Sequence, residues 1–226
     1  MRVAVVTGSG GNLGQIWSEK LMSMGYEVFK IDLPEYDVTD MESLAKARDL
    51  CLMQCGFPDI IVNNAAIDNP PGSDAKFFGN FDKIVAVNLT GAINVTELFM
   101  PHMIERKRGL IINIGSIQGN IGADYRNYPA DFQKPVGYNC SKAALVQLSR
   151  SIAVQYGRFN IRSVTLSFAA YDGGKLTNDF LKKFLYNVPL HRTISKESLE
   201  SALEFAIKCP ELTGQQVIID GGYCAL

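Results

Sequence analysis

Apolar residues along this chain fall into short unbroken runs, separated by longer stretches with helical spacing. Val3–Thr7 is such a run, and it ends in a cluster of glycines. Glu27–Asp32, Ile60–Asn63, Leu110–Ile114, Ile161–Leu166 and Gln216–Asp220 read as further strands. Between them, Leu13–Gly25, Met41–Cys55, Phe81–Lys107, Tyr138–Tyr156 and Lys196–Lys208 repeat apolar residues three and four apart and predict helices. Gly25 closes the first helix, and Pro101 is expected to break the third. Strands without polar alternation are buried on both faces. The pattern therefore predicts an α/β fold, a doubly wound, Rossmann-type parallel sheet with helices on both faces. Ligands of such sheets sit beyond the carboxyl ends of the strands, so the residues just after each strand are the ones to inspect.

The length, 226 residues, suits one domain spanning 1–226, long enough to bury a core without disulfides or a structural metal. A net charge of -1 gives no electrostatic case for nucleic acid or an anionic membrane as partner. The longest basic cluster, Arg106-Lys107-Arg108, suits a helix C-terminus, where cations are favoured. No basic leader precedes the first strand, and no apolar run approaches bilayer length, so a cytoplasmic protein is expected. The cysteines Cys51, Cys55, Cys140, Cys209 and Cys224 lack metal-ligand spacing, and no metal is expected.

After the first strand comes Thr7-Gly8-Ser9-Gly10-Gly11-Asn12-Leu13-Gly14. A glycine turn feeding a helix N-terminus offers free N–H groups and a favourable dipole to a pyrophosphate. GxGxxG spacing does not fit. TGxxxGxG does, with Asn12 in place of the middle glycine, and Asn tolerates left-handed backbone and caps helices. Strand two ends in Asp32, whose carboxylate can accept from adenosine ribose hydroxyls and would repel a 2′-phosphate. No Lys or Arg lies in the glycine loop or directly after Asp32. These features predict NAD as cofactor. A further candidate is Tyr138-Asn139-Cys140-Ser141-Lys142, with the Tyr and Lys on one helix face. A phenol ionises near pH 10, too high for proton transfer at neutrality, and a nearby ammonium lowers that value.

The order of motifs resembles the short-chain dehydrogenase/reductase family over almost the whole chain. Asn63-Asn64-Ala65-Ala66, Val87-Asn88-Leu89-Thr90-Gly91, Ile112-Asn113-Ile114-Gly115-Ser116, Pro189-Leu190-His191-Arg192 and Thr213-Gly214-Gln215 through Asp220-Gly221-Gly222 each match a family segment. The resemblance implies hydride transfer between NAD(H) and an alcohol or carbonyl. It implies Ser116 on the substrate oxygen, Tyr138 as acid/base, Lys142 on the Tyr and the nicotinamide ribose, and Asn88 holding a relay water. It implies a cofactor site built from Gly8, Asn12, Leu13, Gly14, Asp32, Asp37, Val38, Asn64, Ala65, Ala66, Tyr138 and Lys142. It also implies a homodimer or homotetramer built on the Phe81–Lys107 and Tyr138–Tyr156 helices.

Three departures stand out. Asp37-Val38-Thr39-Asp40 follows Asp32 so closely that a helix is missing and that edge of the sheet is shortened, though Asp37 and Val38 can still flank adenine. Ser116 and Tyr138 are 22 positions apart, and the extra segment Gly119–Pro135 carries Asp124, Tyr125, Arg126, Tyr128 and Lys134. It resembles insertions in bacterial surface-sugar and flagellin-modification members and suggests a small, polyhydroxylated or anionic substrate, with Arg126 and Lys134 as its contacts. A surface loop is the alternative. Finally, Phe168-Ala169 stands where the family has Pro-Gly, which should loosen the chain there. That leaves open a non-catalytic NAD-binding sensor or scaffold. An extended nucleotide-sugar epimerase is disfavoured, since no sizeable substrate domain follows.

Overall fold

The computed structural model describes residues 2–68 and 76–225. Six strands, β1 (Arg2–Thr7), β2 (Tyr26–Ile31), β3 (Ile60–Asn63), β4 (Gly109–Ile114), β5 (Ile161–Phe168) and β6 (Gln216–Ile219), form one sheet in the order β2-β1-β3-β4-β5-β6. All neighbours are parallel. The helices are α1 (Asn12–Ser23), α2 (Met41–Gln54), α3 (Phe81–Val85), α4 (Gly91–Arg106), α5 (Val136–Tyr156), α6 (Asn178–Asn187) and α7 (Lys196–Lys208). β2 is an edge strand and Asp37–Asp40 forms no strand at all, so that edge is shortened as expected.

Alternate strand residues feed opposite cores. Ala4, Val6, Val62 and Ile112 pack with Trp17 and Leu21 of α1 and Leu199 and Leu203 of α7. Val3, Val5, Ile61 and Ile111 pack on the other face with Leu44 of α2 and Val95, Phe99 and Met103 of α4. This is why the strands read as continuous apolar runs.

Two expectations about the third helix are corrected. Pro101 does not break it: α4 runs through the proline, which sits on the exposed side. A five-residue π-helical stretch, Ala86–Thr90, joins α3 to α4. The whole span Phe81–Arg106 is therefore one helix long and apolar enough, by length and composition, to cross a bilayer. Here it lies against the sheet, with Ile84, Val95, Phe99 and Met103 fully buried. Its C-terminus is where the basic cluster was expected. Arg106 and Arg108 both pair with the buried Asp59 carboxylate, which also accepts from the Val3 N–H at 2.9 Å. Helix α6 was not foreseen.

A line of polar side chains crosses the core. Asn63 Nδ2 donates to Thr96 Oγ1 at 3.0 Å and to Asn113 Oδ1 at 2.9 Å. Asn113 Nδ2 donates to Ser149 Oγ at 2.9 Å, and the Ser149 and Thr165 hydroxyls meet at 2.8 Å. The line links α4, β3, β4, α5 and β5. Buried donors and acceptors stripped of partners are costly. Asn113→Ala, which takes one partner each from Asn63 and Ser149, should lower unfolding free energy by about 2 kcal/mol in urea titrations.

Candidate active site

At the carboxyl end of β1, the glycine loop turns into α1. Gly8 has φ +61°, and a Cβ on Gly14 would lie 2.1 Å from the Gly8 carbonyl oxygen, so both positions need glycine. Gly11, not Asn12, is the N-cap, and no side chain caps α1. Asn12 opens the helix with right-handed backbone, so its substitution does not work through a left-handed turn. Its amide packs against Gly173 in the loop after β5.

Asn64 straps this loop in place. Its Nδ2 donates to the Thr7 and Gly8 carbonyls at 3.0 Å, and its Oδ1 accepts from the Trp17 indole N–H at 2.9 Å. The N–H groups of Asn64 and Ala65 donate to the Thr7 hydroxyl. At the end of β2, the Asp32 carboxylate accepts from the Gly10 and Leu33 N–H groups. Asp37 Oδ1 accepts from the Thr39 N–H and hydroxyl, while Val38 is buried against Gly91.

These residues border a groove of about 750 Å³. Gly8, Asn12, Leu13, Asp32, Asp37, Val38, Asn64, Ala65 and Ala66 line it, together with Tyr138 and Lys142. Gly14 does not line it and serves the turn's packing. Lys83 and Lys175 also line the groove, two cations that sequence distance had hidden. The groove suits a dinucleotide: uncapped N–H groups of a 12-residue helix face an anion's position, and each Asp32 oxygen keeps a lone pair for a hydroxyl.

A pocket of about 320 Å³ adjoins the groove, and Asn12, Leu13, Gly115 and Tyr138 line both. Ser116 stands at the pocket's edge, and its Oγ accepts from the Gln118 N–H at 3.2 Å. The Ser116 hydroxyl acts on the Tyr138 phenol and draws its pKa down. Burial, the larger influence, pushes that pKa above the ordinary tyrosine value, and the Asp68 carboxylate adds to the rise. Lys142 is the expected partner of this phenol and of the nicotinamide ribose. Its Nζ donates to the Ile114 carbonyl at 2.7 Å and lies 5.7 Å from the centre of the Tyr138 ring. Burial lowers its own pKa to about 8. The Asn88 side chain is hydrogen-bonded within the protein: Oδ1 accepts from the Ile67 N–H at 2.7 Å, and Nδ2 donates to the Ile67 carbonyl and Ser141 Oγ. Its side chain pins the segment leading to Asp68.

The Gly119–Pro135 segment forms one wall of the pocket through Ile121, Gly122, Ala123, Asp124, Asn127, Tyr128 and Lys134. Tyr128 and Phe132 stack on each other and pack on Phe180 and Phe184 of α6, with Tyr223 stacked beyond. Arg126 is corrected as a substrate contact. It points to solvent and is held by Asp124 at 2.9 Å. Lys134 is buried, pairs with Asp68 and lies over the Tyr138 ring. Sequence reasoning missed Asp68, Gln118 and Asn127. Only α6 left a readable signal, Thr177 as N-cap before Phe180 and Phe184 one turn apart.

Phe168-Ala169 does not loosen the chain. β5 continues through Phe168, the Ala169 N–H donates to the Ile219 carbonyl at 3.1 Å, and the Phe168 ring stacks on Trp17.

Residues 29–177 match the family model for short chain dehydrogenases. The chain belongs to that family. It is thus an oxidoreductase of a family that binds a nicotinamide cofactor. It is 28% identical to a 7alpha-hydroxysteroid dehydrogenase of Paraclostridium sordellii over 83% of this chain and 71% of that one. It is also 28% identical to a 3-oxoacyl-(acyl-carrier-protein) reductase of Vibrio harveyi over 98% of this chain and 96% of that one. Its fold is that of a short chain dehydrogenase from Leptospira borgpetersenii with bound NAD+, at a TM-score of 0.86 and 24% identity, covering 98% of this chain and 92% of that one.

The depressed Lys142 pKa has a consequence for stability. Between pH about 8 and 10.5, the unfolded chain binds more protons at this group than the folded one. Stability from this group is therefore least below pH 8 and rises through that window. Relative to Lys142→Met, the wild type should gain about 2 kcal/mol between pH 8 and 10 in denaturant titrations. A flat difference would contradict it.

Proposed function

We propose that this short-chain dehydrogenase is an NAD(H)-dependent enzyme that interconverts an alcohol and a carbonyl on a neutral, polyhydroxylated compound such as a sugar. The carrying observation is that Tyr138 lines both groove and pocket, with Ser116 lining the same pocket. The substrate class follows from charge. Lys134 is the one cation among the described residues lining the pocket, and it already pairs with Asp68. Asp124 adds a second carboxylate. Hydroxyls suit such a lining better than a carboxylate or phosphate, which narrows the sequence expectation.

In the groove, the N–H groups at the start of α1 would hold the pyrophosphate. Asp32 would take the adenosine ribose, Asp37 and Val38 would flank adenine, and Lys142 would reach the nicotinamide ribose. The cofactor supplies or accepts the hydride. The protein does the rest. Ser116 donates a hydrogen bond to the substrate oxygen, and Tyr138 gives that oxygen a proton in reduction or takes it in oxidation. Asp32 accepts from hydroxyls and repels a 2′-phosphate, which favours NAD over NADP. Asn88 steadies the segment beside Asp68. We further propose that the chain is a single domain working in the cytoplasm as a homodimer or homotetramer, with Ile93 of α4 and Val154 of α5 exposed for such contacts. The sensor reading rested on Phe168-Ala169, and the intact β5–β6 ladder removes its support.

A panel of sugars and polyols with NADH or NAD+ tests this reading. Tyr138→Phe should lose about 10²–10⁴ in turnover while keeping NADH affinity, and NADPH should bind about tenfold or more weakly than NADH. Near-normal turnover in the variant would move the chemistry elsewhere, and equal NADPH affinity would overturn the cofactor preference.

A further inference from the structure

Tyr138 has two ammonium groups near its ring. Lys142, from the same helix, is the farther, at 5.7 Å from the ring centre. Lys134, from the segment before α5, is the nearer, at 4.6 Å. Lys134 is 6% exposed, and its Nζ is held by the Asp68 carboxylate. Backbone ties fix the segment that carries it: the Val136 N–H donates to the Phe77 carbonyl at 2.8 Å, and the Phe77 N–H donates to Gln133 Oε1 at 3.0 Å. Lysine is a compact point charge. Held over an aromatic face it attracts the ring's electrons, and the attraction grows when the ring becomes a phenolate.

The groups around Tyr138 divide by sign. Asp68, on the segment after β3, opposes loss of the phenol proton, and so does Tyr128 once ionised. Ser116, after β4, assists it. Lys142 of α5 borders the groove side, as does Lys83 of α3. On the pocket side, Lys134 is the one cation among the described lining residues. Its ammonium stands against the Asp68 carboxylate, which opposes ionisation of the phenol.

We propose that Lys134 is a positioning residue of the active site: its ammonium, fixed by Asp68, lies over the Tyr138 ring, offsets the Asp68 charge and stabilises the phenolate. The proton concerned passes between the phenol oxygen and the substrate oxygen, and Lys134 neither gives nor takes it. The inference rests on the reading of Tyr138 as the acid–base group. It also accounts for the long segment between Ser116 and Tyr138, which delivers this lysine to the ring.

The test titrates Tyr138 directly in the full-length protein saturated with NAD+, so it needs no substrate. Tyrosines labelled with ¹³C at Cζ are followed by NMR from pH 6 to 11, with the Tyr138 signal assigned by its loss in Tyr138→Phe. Lys134→Met should move the Tyr138 midpoint up by about one pH unit or more. Lys134→Arg, which keeps the charge, should move it much less. Lys134→Met combined with Asp68→Asn, which leaves neither charge unpaired, should return it toward wild type. NAD+ affinity and the thermal midpoint of the double variant should stay near wild type, which separates this role from a structural one. If the midpoint is the same in wild type and Lys134→Met, the proposal is overturned while the acid–base reading stands. If Lys134→Arg moves it as far as Met does, the charge is not the cause and the proposal fails. A Tyr138 that titrates in neither protein below pH 11 counts against the acid–base reading itself, and the inference falls with it.

Discussion

The polar line through Thr96, Asn63, Asn113, Ser149 and Thr165 is the constraint on which the rest of the site depends. It ties α4 and α5 to the inner strands near the ends where chemistry is expected. α5 carries Tyr138 and Lys142, and the π-helical stretch that opens into α4 carries Asn88. Apolar packing alone would hold these helices against the sheet but would let them slide along it. Directional hydrogen bonds in a dry interior fix the register. That register sets the Tyr138 phenol against Ser116 and Lys142 against the Ile114 carbonyl.

A second set of straps serves the groove. Asn64 and Thr7 clamp the glycine loop to the end of β3, Asp32 clamps it to β2, and Asn12 touches Gly173 in the loop after β5. The loop is thus held from three sides before any ligand arrives. Preorganisation of this kind lowers the ordering cost of binding. The pocket wall is built differently, from a stack of aromatic rings that joins the Gly119–Pro135 segment to α6 and Tyr223. Its polar groups, Gln118, Asn127 and Tyr128, are hydrogen-bonded through that stack.

Much of this was legible in the sequence, for identifiable reasons. Six apolar runs became six strands because both sheet faces are covered. The Ser116, Tyr138 and Lys142 trio was legible because one helix face and one strand end carry it. What was hidden depends on distance along the chain. Asn64 lines the groove as read, and the sequence did not show that its amide also straps Thr7, Gly8 and Trp17. Arg126 and Lys134 looked alike as cations, yet one is in solvent beside Asp124 and the other is buried on Asp68. Lys83 and Lys175 reach the groove only through the fold. Pro101 was given too much weight, because an exposed proline can sit in a helix that packing holds together. The missing Pro-Gly was also overrated: a backbone hydrogen bond to Ile219 does the work of conformational restriction.

The account turns on Tyr138 standing at the junction of a cofactor groove and a substrate pocket. A crystal structure of the protein soaked with NADH measures this directly. The account predicts an ordered nicotinamide whose C4 faces the space between Ser116 and Tyr138, with the adenosine ribose on Asp32. An adenosine half bound alone, with the nicotinamide disordered even when substrates of the active panel are present, would contradict it.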